Sequence, residues 1–213
     1  MGLTDTEVRS MLEKSYSPTE IPKLEEYLEQ ACRGEAAFIF DAVRRLIKLY
    51  VLFPASSKAT TKNMGYASLL TFVKCNDNLL ALRYLIPMAK QQQEPFKSVF
   101  QCSAYLTACN FADFWKTFVN LQTSDDVLVQ KTSQAAVSHF QQTILEILAL
   151  SYKKAPVSII LAALNVKTLP STLSIEDDTV VFTATAENTK RERVYQEGIN
   201  FGNVTLLLHK MGQ

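Results

Sequence analysis

The sequence predicts a mainly α protein. An antiparallel helical-repeat (HEAT-like) domain is expected over residues 1–122, then a small winged-helix domain with a β-hairpin over residues 123–200, then a C-terminal helix or tail over residues 201–213. Three observations carry this. Apolar residues recur at helical spacing through the first 122 residues, interrupted by short turns. Composition then turns polar from Gln122 to Ser133 (QTSDDVLVQKTS), where either a boundary or one long bridging helix belongs. Finally the period changes to two in TVVFTATA, where Val180, Phe182, Ala184 and Ala186 alternate with Thr179, Val181, Thr183 and Thr185.

The helices follow in order. Thr4 with Glu7, and Ser17 with Glu20, form capping-box patterns, and Pro18 suits the first position of the second helix. Ile21, Leu24, Leu28 and Ala31 then line one face, widened by Tyr27, and Gly34 breaks the chain. The stretch AAFIFDAVRRLIKLYVLFP (36–54) reads as the central helix. Its charges, Asp41, Arg44, Arg45 and Lys48, fall on one stripe, and the rest of its surface is apolar. Pro54 ends it. The polar run SSKATTKN is a connection, and Ala67 to Val73 a further helix. Leu79, Leu82, Leu85, Ile86 and Ala89 form the inner face of the next helix, which Pro87 should kink or shorten. Phe96, Val99, Phe100, Ser103, Leu106 and Cys109 face inward after Glu94-Pro95. Asn110 caps a helix carrying Phe111, Phe114, Trp115, Phe118 and Leu121. This makes about seven antiparallel helices with short joints, a solenoid-like layout without a strict sequence repeat.

Beyond the polar run, Val137, Phe140, Ile144, Ile147, Leu148 and Ser151 share one side of a long helix from Gln134, and Pro156 opens a short apolar helix through Leu164. Thr179 to Ala186 reads as a strand, with ENTKRER as a loop and Val194 to Ile199 as the returning partner. Val204, Leu207, Leu208 and Met211 give a last apolar helical stripe.

The composition narrows the function. An apolar fraction of 47% with 20% charged residues suits a soluble globular chain, and six glycines argue against a phosphate-cradling enzyme. A net charge of +1 gives no global field toward nucleic acid or membrane. Four charges within the 36–54 helix would be costly in lipid. The opening MGLTDTEVRS lacks the regions of a signal peptide, and Cys32, Cys75, Cys102 and Cys109 show no CxxC pair, so reduced thiols of a cytosolic (cytoplasmic) protein are expected.

Chemistry is nearly absent. His139 and His209 have no Cys or carboxylate at ligand spacing, and GxSxG, GxxxxGK[ST] and GxGxxG do not occur. Glu176, Asp177 and Asp178 read as a solvated turn. No catalytic residue, metal or cofactor is therefore expected. Two basic groups can touch phosphate: Arg44, Arg45 and Lys48 on one helix stripe, and Lys190, Arg191 and Arg193 in the expected wing loop. Each supplies three charges, against the roughly 6–10 phosphate contacts of a strong non-specific duplex binder.

Several segments, in order along the chain, are similar to subunit k of eukaryotic translation initiation factor 3. They are Tyr16-Ser17-Pro18 followed by Leu24-Glu25-x-Tyr27-Leu28; Asp41-Ala42 followed by Leu46-Ile47-Lys48-Leu49-Tyr50 and Pro54; Phe114-Trp115; and Ile199-Asn200-Phe201 with Val204. The resemblance implies a PCI-type scaffold, a helical-repeat domain joined to a winged helix. It further implies a non-enzymatic part of the factor on the small ribosomal subunit, with subunit l as close partner. The chain departs from that pattern at Val43, at Val51-Leu52-Phe53, and in the short 165–178 stretch where a fuller recognition helix would lie. A scaffold subunit of the proteasome lid or signalosome, or an RNA-contacting module using Lys190, Arg191 and Arg193, are the alternatives. An exposed strand edge and an apolar end suit partner docking, which nominates Val180, Val181, Phe182, Thr183, Val204, Leu207, Leu208 and Met211.

Overall fold

The computed structural model describes residues 5–13, 15–56, 59–170, 173–189 and 209. Helix α1 (Asp5–Leu12) is followed by a 3-10 turn, Pro18–Glu20, that leads into α2 (Ile21–Arg33). Ser17 caps that turn, its Oγ accepting from Thr19 N at 3.3 Å. The expected capping box is only half made, because the Glu20 carboxylate points inward to Arg45. Gly34 ends α2 in the left-handed region (φ 79°), where its N–H reaches Ala31 O and the Glu35 N–H reaches Gln30 O. An L side chain is strained there, which is why glycine closes this helix.

Helix α3 (Phe40–Leu52) buries Ala42, Val43, Leu46, Ile47, Leu49 and Tyr50. It is not the central helix. Val51 and Leu52 are exposed, and the element covered on all sides is α4 (Thr60–Lys74), in which every residue from Asn63 to Val73 is buried. Helix α4 packs against α2, α3, α7 and α9. Two of its buried polar side chains find partners within it or close by: Ser68 Oγ donates to Met64 O at 2.9 Å, and Asn63 Nδ2 donates to the Tyr50 hydroxyl at 2.9 Å, whereas Thr71 Oγ1 has no partner among the described residues. Small residues permit the close approach. A Cβ on Gly65 would stand 3.0 Å from Cγ of Pro95.

Pro87 breaks the next stretch as expected, into α5 (Leu79–Arg83) and α6 (Met88–Gln91). Leu79, Leu82 and Ile86 face the core, whereas Ala89 is exposed. Helix α7 (Phe96–Thr107) and helix α8 (Phe111–Gln122) form a tight pair. Cys109 lies in their joint at φ 55° and is exposed, not inward-facing. Asn110 Oδ1 caps α8 at Asp113 N, and Phe111, Phe114, Trp115, Phe118 and Leu121 are all buried.

The polar run after Gln122 forms helix α9 (Val127–Ala135), capped by Asp126. It buries Val129, Thr132 and Ser133 against α2, α4 and α8, and Thr132 Oγ1 donates to Cys32 O. Helix α10 (Val137–Ser151) follows, then strand β1 (Lys154–Pro156), helix α11 (Val157–Leu164), strand β2 (Ser174–Glu176) and strand β3 (Thr179–Val181). Aromatic rings tie the two halves: Phe72 of α4 and Phe140 of α10 have centroids 4.8 Å apart, and Phe114 and Phe118 of α8 each meet Phe140 edge-on at 5.2 Å. Trp115 Nε1 donates to Ala163 O at 2.8 Å. Offset and edge-on pairs of this kind add about 0.5–1.5 kcal/mol each beyond their burial.

The three strands form one antiparallel sheet in the order β1-β3-β2. Helix, strand, helix and hairpin in this order give a winged-helix-like unit, with residues 165–170 irregular where a recognition helix would lie. The hairpin joins β3 to β2, the strand before it, through Asp177 and Asp178, both at positive φ (43° and 60°). Asp tolerates that geometry, and it matches the twist of a two-residue hairpin. The mainly α architecture with a small hairpin-bearing sheet thus agrees with the sequence. The expected return strand at 194–199 lies outside the described residues.

Candidate functional site

The first basic group does not form a common face. Arg44 on α3 pairs with Asp41 at 2.6 Å and stays exposed. Arg45 turns inward. Its Nε and Nη2 grip both oxygens of Glu20 at 2.9 and 3.1 Å, Nη1 donates to Leu12 O at 3.3 Å, and Nη2 donates to Ser15 O at 3.0 Å. The guanidinium also lies 4.5 Å over the Tyr16 ring. Arg45 and Glu20 are 5% and 8% exposed, so Arg45 is a structural clamp and offers no charge to phosphate. The cause is in the fork geometry: a buried charge is tolerable only when most of its donors are satisfied, and the turn before α2 supplies an acid and two carbonyls. Lys190, Arg191 and Arg193 lie outside the described residues.

The nominated strand is also placed differently. β3 is the middle strand, paired through Thr179–Val181 with β1 on one side and β2 on the other, and Phe182 N donates to Lys153 O. A middle strand has no free edge for a partner over those residues. Val180 and Phe182 are buried in the core, Val181 is half-buried, and Thr183 is exposed. The outer strands are β1 and β2, and Ile175 of β2 is an exposed apolar side chain. Val204, Leu207, Leu208 and Met211 lie outside the described residues.

Among the described residues, no group of three or more His, Cys, Asp or Glu converges as a metal cluster would. No helix among them is long and apolar enough to cross a membrane. His139 is exposed on α10. Burial pushes the thiols of Cys32 and Cys102 up to about 12, far from the reactive thiolate range. A further polar network joins α4 to α9. Tyr66 donates its hydroxyl to Asp126 at 2.9 Å, Lys62 lies 3.5 Å from the same carboxylate, and Asp126 Oδ1 accepts from Leu128 N and Val129 N. Burial opposes ionisation of Asp126, but the Tyr66 hydroxyl, the two backbone donors and Lys62 outweigh it, so its pKa falls below the ordinary value. These groups hold helices together; they form no reacting constellation.

Among the described residues, the most exposed large apolar side chains lie at the elbow between α5 and α6. Leu80, Tyr84 and Met88 are 58%, 81% and 78% exposed, and they flank two connected grooves of about 580 and 540 Å³ that share Leu80 and Arg83.

No family profile matches the chain. Similarity to characterised proteins points one way. The chain is 32% identical over 114 residues to eukaryotic translation initiation factor 3 subunit K of Dictyostelium discoideum, covering 53% of this chain and 45% of that protein. It is 27% identical over 113 residues to the subunit K of Xenopus tropicalis, covering 53% and 51%, and 28% identical over 101 residues to that of Homo sapiens, covering 47% and 45%. The match thus spans about half the length of these relatives.

The sequence reading missed the elbow. Leu79, Leu82 and Ile86 were visible as an inner stripe. The second apolar set, Leu80, Tyr84 and Met88 at i, i+4 and i+8, was the available signal. Two apolar stripes on so short an element are more than one neighbour can cover.

Proposed function

We propose that this chain is a non-catalytic scaffold subunit of a translation initiation factor 3 assembly, acting in protein synthesis initiation on the small ribosomal subunit through protein–protein contacts. The observation that carries the reading is its similarity to subunits K from three organisms. The fold supports it: stacked helices and a winged-helix-like end offer broad surface. On this reading residues 1–122 are the helical-repeat domain, residues 123–200 the winged-helix domain, and residues 201–213 a docking tail. Subunit l is the expected neighbour, in the cytoplasm. The stripe Val204, Leu207, Leu208 and Met211 is the proposed contact of the tail, alongside Thr183 and the half-buried Val181 of the sheet. Sedimentation tests the reading. In a cytosolic extract fixed and run on a sucrose gradient, the chain should travel with the small ribosomal subunit and with initiation-factor subunits. Exclusive travel with proteasome or signalosome subunits would place it in a different scaffold.

A further inference from the structure

We propose that the α5–α6 elbow is a docking groove for an amphipathic helix of another subunit, one that presents a carboxylate among apolar residues. The inference deepens the scaffold reading and rests on it.

Charge complementarity within an apolar surface identifies the occupant. Arg83 lies where the two grooves meet, and among the described residues it is the only cation lining either, while Asp77, in the first groove, is the only acid. Its guanidinium sits 4.9 Å over the ring of Phe100, and its Nε donates to Gln91 Oε1 at 3.0 Å. Gln91 is itself fixed, its Nε2 donating to Arg83 O at 3.1 Å and to Ile86 O at 2.8 Å. Stacking and one hydrogen bond therefore hold the fork in place before any partner arrives. Its terminal Nη1 and Nη2 have no partner among the described residues. A planar fork with free donors matches a carboxylate, and pre-ordering reduces the entropy lost on pairing.

The surroundings define the rest of the ligand. Leu80, Tyr84 and Met88 succeed one another at i, i+4 and i+8 and are largely uncovered. Tyr and Arg are the residue types that most often anchor protein interfaces, and Met adapts to irregular apolar partners. A helix carrying apolar residues at i, i+3 or i+4 and i+7, with an Asp or Glu between them, meets both demands.

The test uses the full chain with the photo-crosslinking residue p-benzoylphenylalanine in place of Tyr84, expressed with the tagged subunits of translation initiation factor 3. We expect a crosslink to a segment of another subunit bearing Asp or Glu among Leu, Ile or Phe. Arg83→Glu should lower capture of that subunit about tenfold, and reversing the partner's acid to Lys should restore it. Arg83→Lys, which keeps the charge but not the fork, should restore capture only in part. A chain with p-benzoylphenylalanine at position 84 that assembles with the factor yet crosslinks nothing overturns the groove alone, as does a crosslink only to residues 190–213 or to a second copy. A wild-type chain that assembles with no factor subunit overturns the scaffold reading and the groove with it.

Discussion

Replacing Arg45 by Met should cost more stability than its place in a stripe of surface charges suggests. In the folded chain Arg45 makes two hydrogen bonds to the Glu20 carboxylate and one each to Leu12 O and Ser15 O, and both charged groups are almost fully buried. Arg45→Met leaves the carboxylate of Glu20 buried without its counter-charge, which costs about 3–5 kcal/mol. For a chain of this length that is roughly 6–20 °C in Tm. Exchanging both, Glu20→Met with Arg45→Met, removes the stranded charge along with its partner. What remains is the loss at the two carbonyls, about 1 kcal/mol each. The double variant should therefore be no worse than Arg45→Met alone, with a coupling energy of about 2 kcal/mol or more. Equilibrium urea unfolding followed by circular dichroism, with the four proteins compared at equal m-values, reads this directly. A single-variant loss under about 0.5 kcal/mol, or strictly additive costs, would refute the clamp.

Other perturbations test the rest of the core. Trp115→Ala should cost about 3–5 kcal/mol, and Trp115→Phe, which mainly strands Ala163 O, about 1–3 kcal/mol, both by urea unfolding. Gly65→Leu should lose about 1–3 kcal/mol despite better helix propensity, since the added side chain meets the Pro95 ring from 3.0 Å outward; an unchanged unfolding midpoint would mean that α4 and α7 separate easily. Iodoacetamide at pH 8 should label exposed Cys109 in the native protein and spare Cys32 and Cys102 until unfolding, as mass spectrometry of the peptides would show. Asp126→Ala should cost about 0.5–2 kcal/mol at neutral pH through the lost cap. Because the Asp126 pKa is lowered by folding, its ionisation supports the native state at neutral pH, and that support fades as pH falls from the ordinary carboxylate range through the lower folded-state pKa. The variant's stability should consequently depend less on pH below the ordinary Asp value.

Sequence patterns gave the elements that present one apolar face. The α8 stripe from Phe111 to Leu121, its Asn110 cap, the Gly34 stop and the Pro87 break all stand where periodicity and capping chemistry put them. Helix α4 was obscure for a physical reason: a helix buried all round has no amphipathic period, and its Thr, Asn, Gly and Ser resemble a connection. Helix α9 was hidden similarly, since Thr132 and Ser133 are buried polar groups whose hydroxyls bond to backbone carbonyls. Arg45 could not be told from Arg44 by spacing, because one step around a helix decides between solvent and core, and the deciding partner, Glu20, is remote in sequence. In the sheet, alternation located β3 but carried no information on its neighbours, so the sequence placed its hairpin partner at 194–199, whereas β3 pairs with β1 and β2, both before it in the chain.

The central claim, that the chain is a scaffold subunit of translation initiation factor 3, is tested most directly by tagging it at its natural locus, purifying it from cytosol at moderate salt and identifying the co-purifying chains. The account predicts the other subunits of the factor in equal amounts, with subunit l retained at the highest salt. Recovery of the chain alone, or with a different assembly and no initiation-factor subunit, would contradict it.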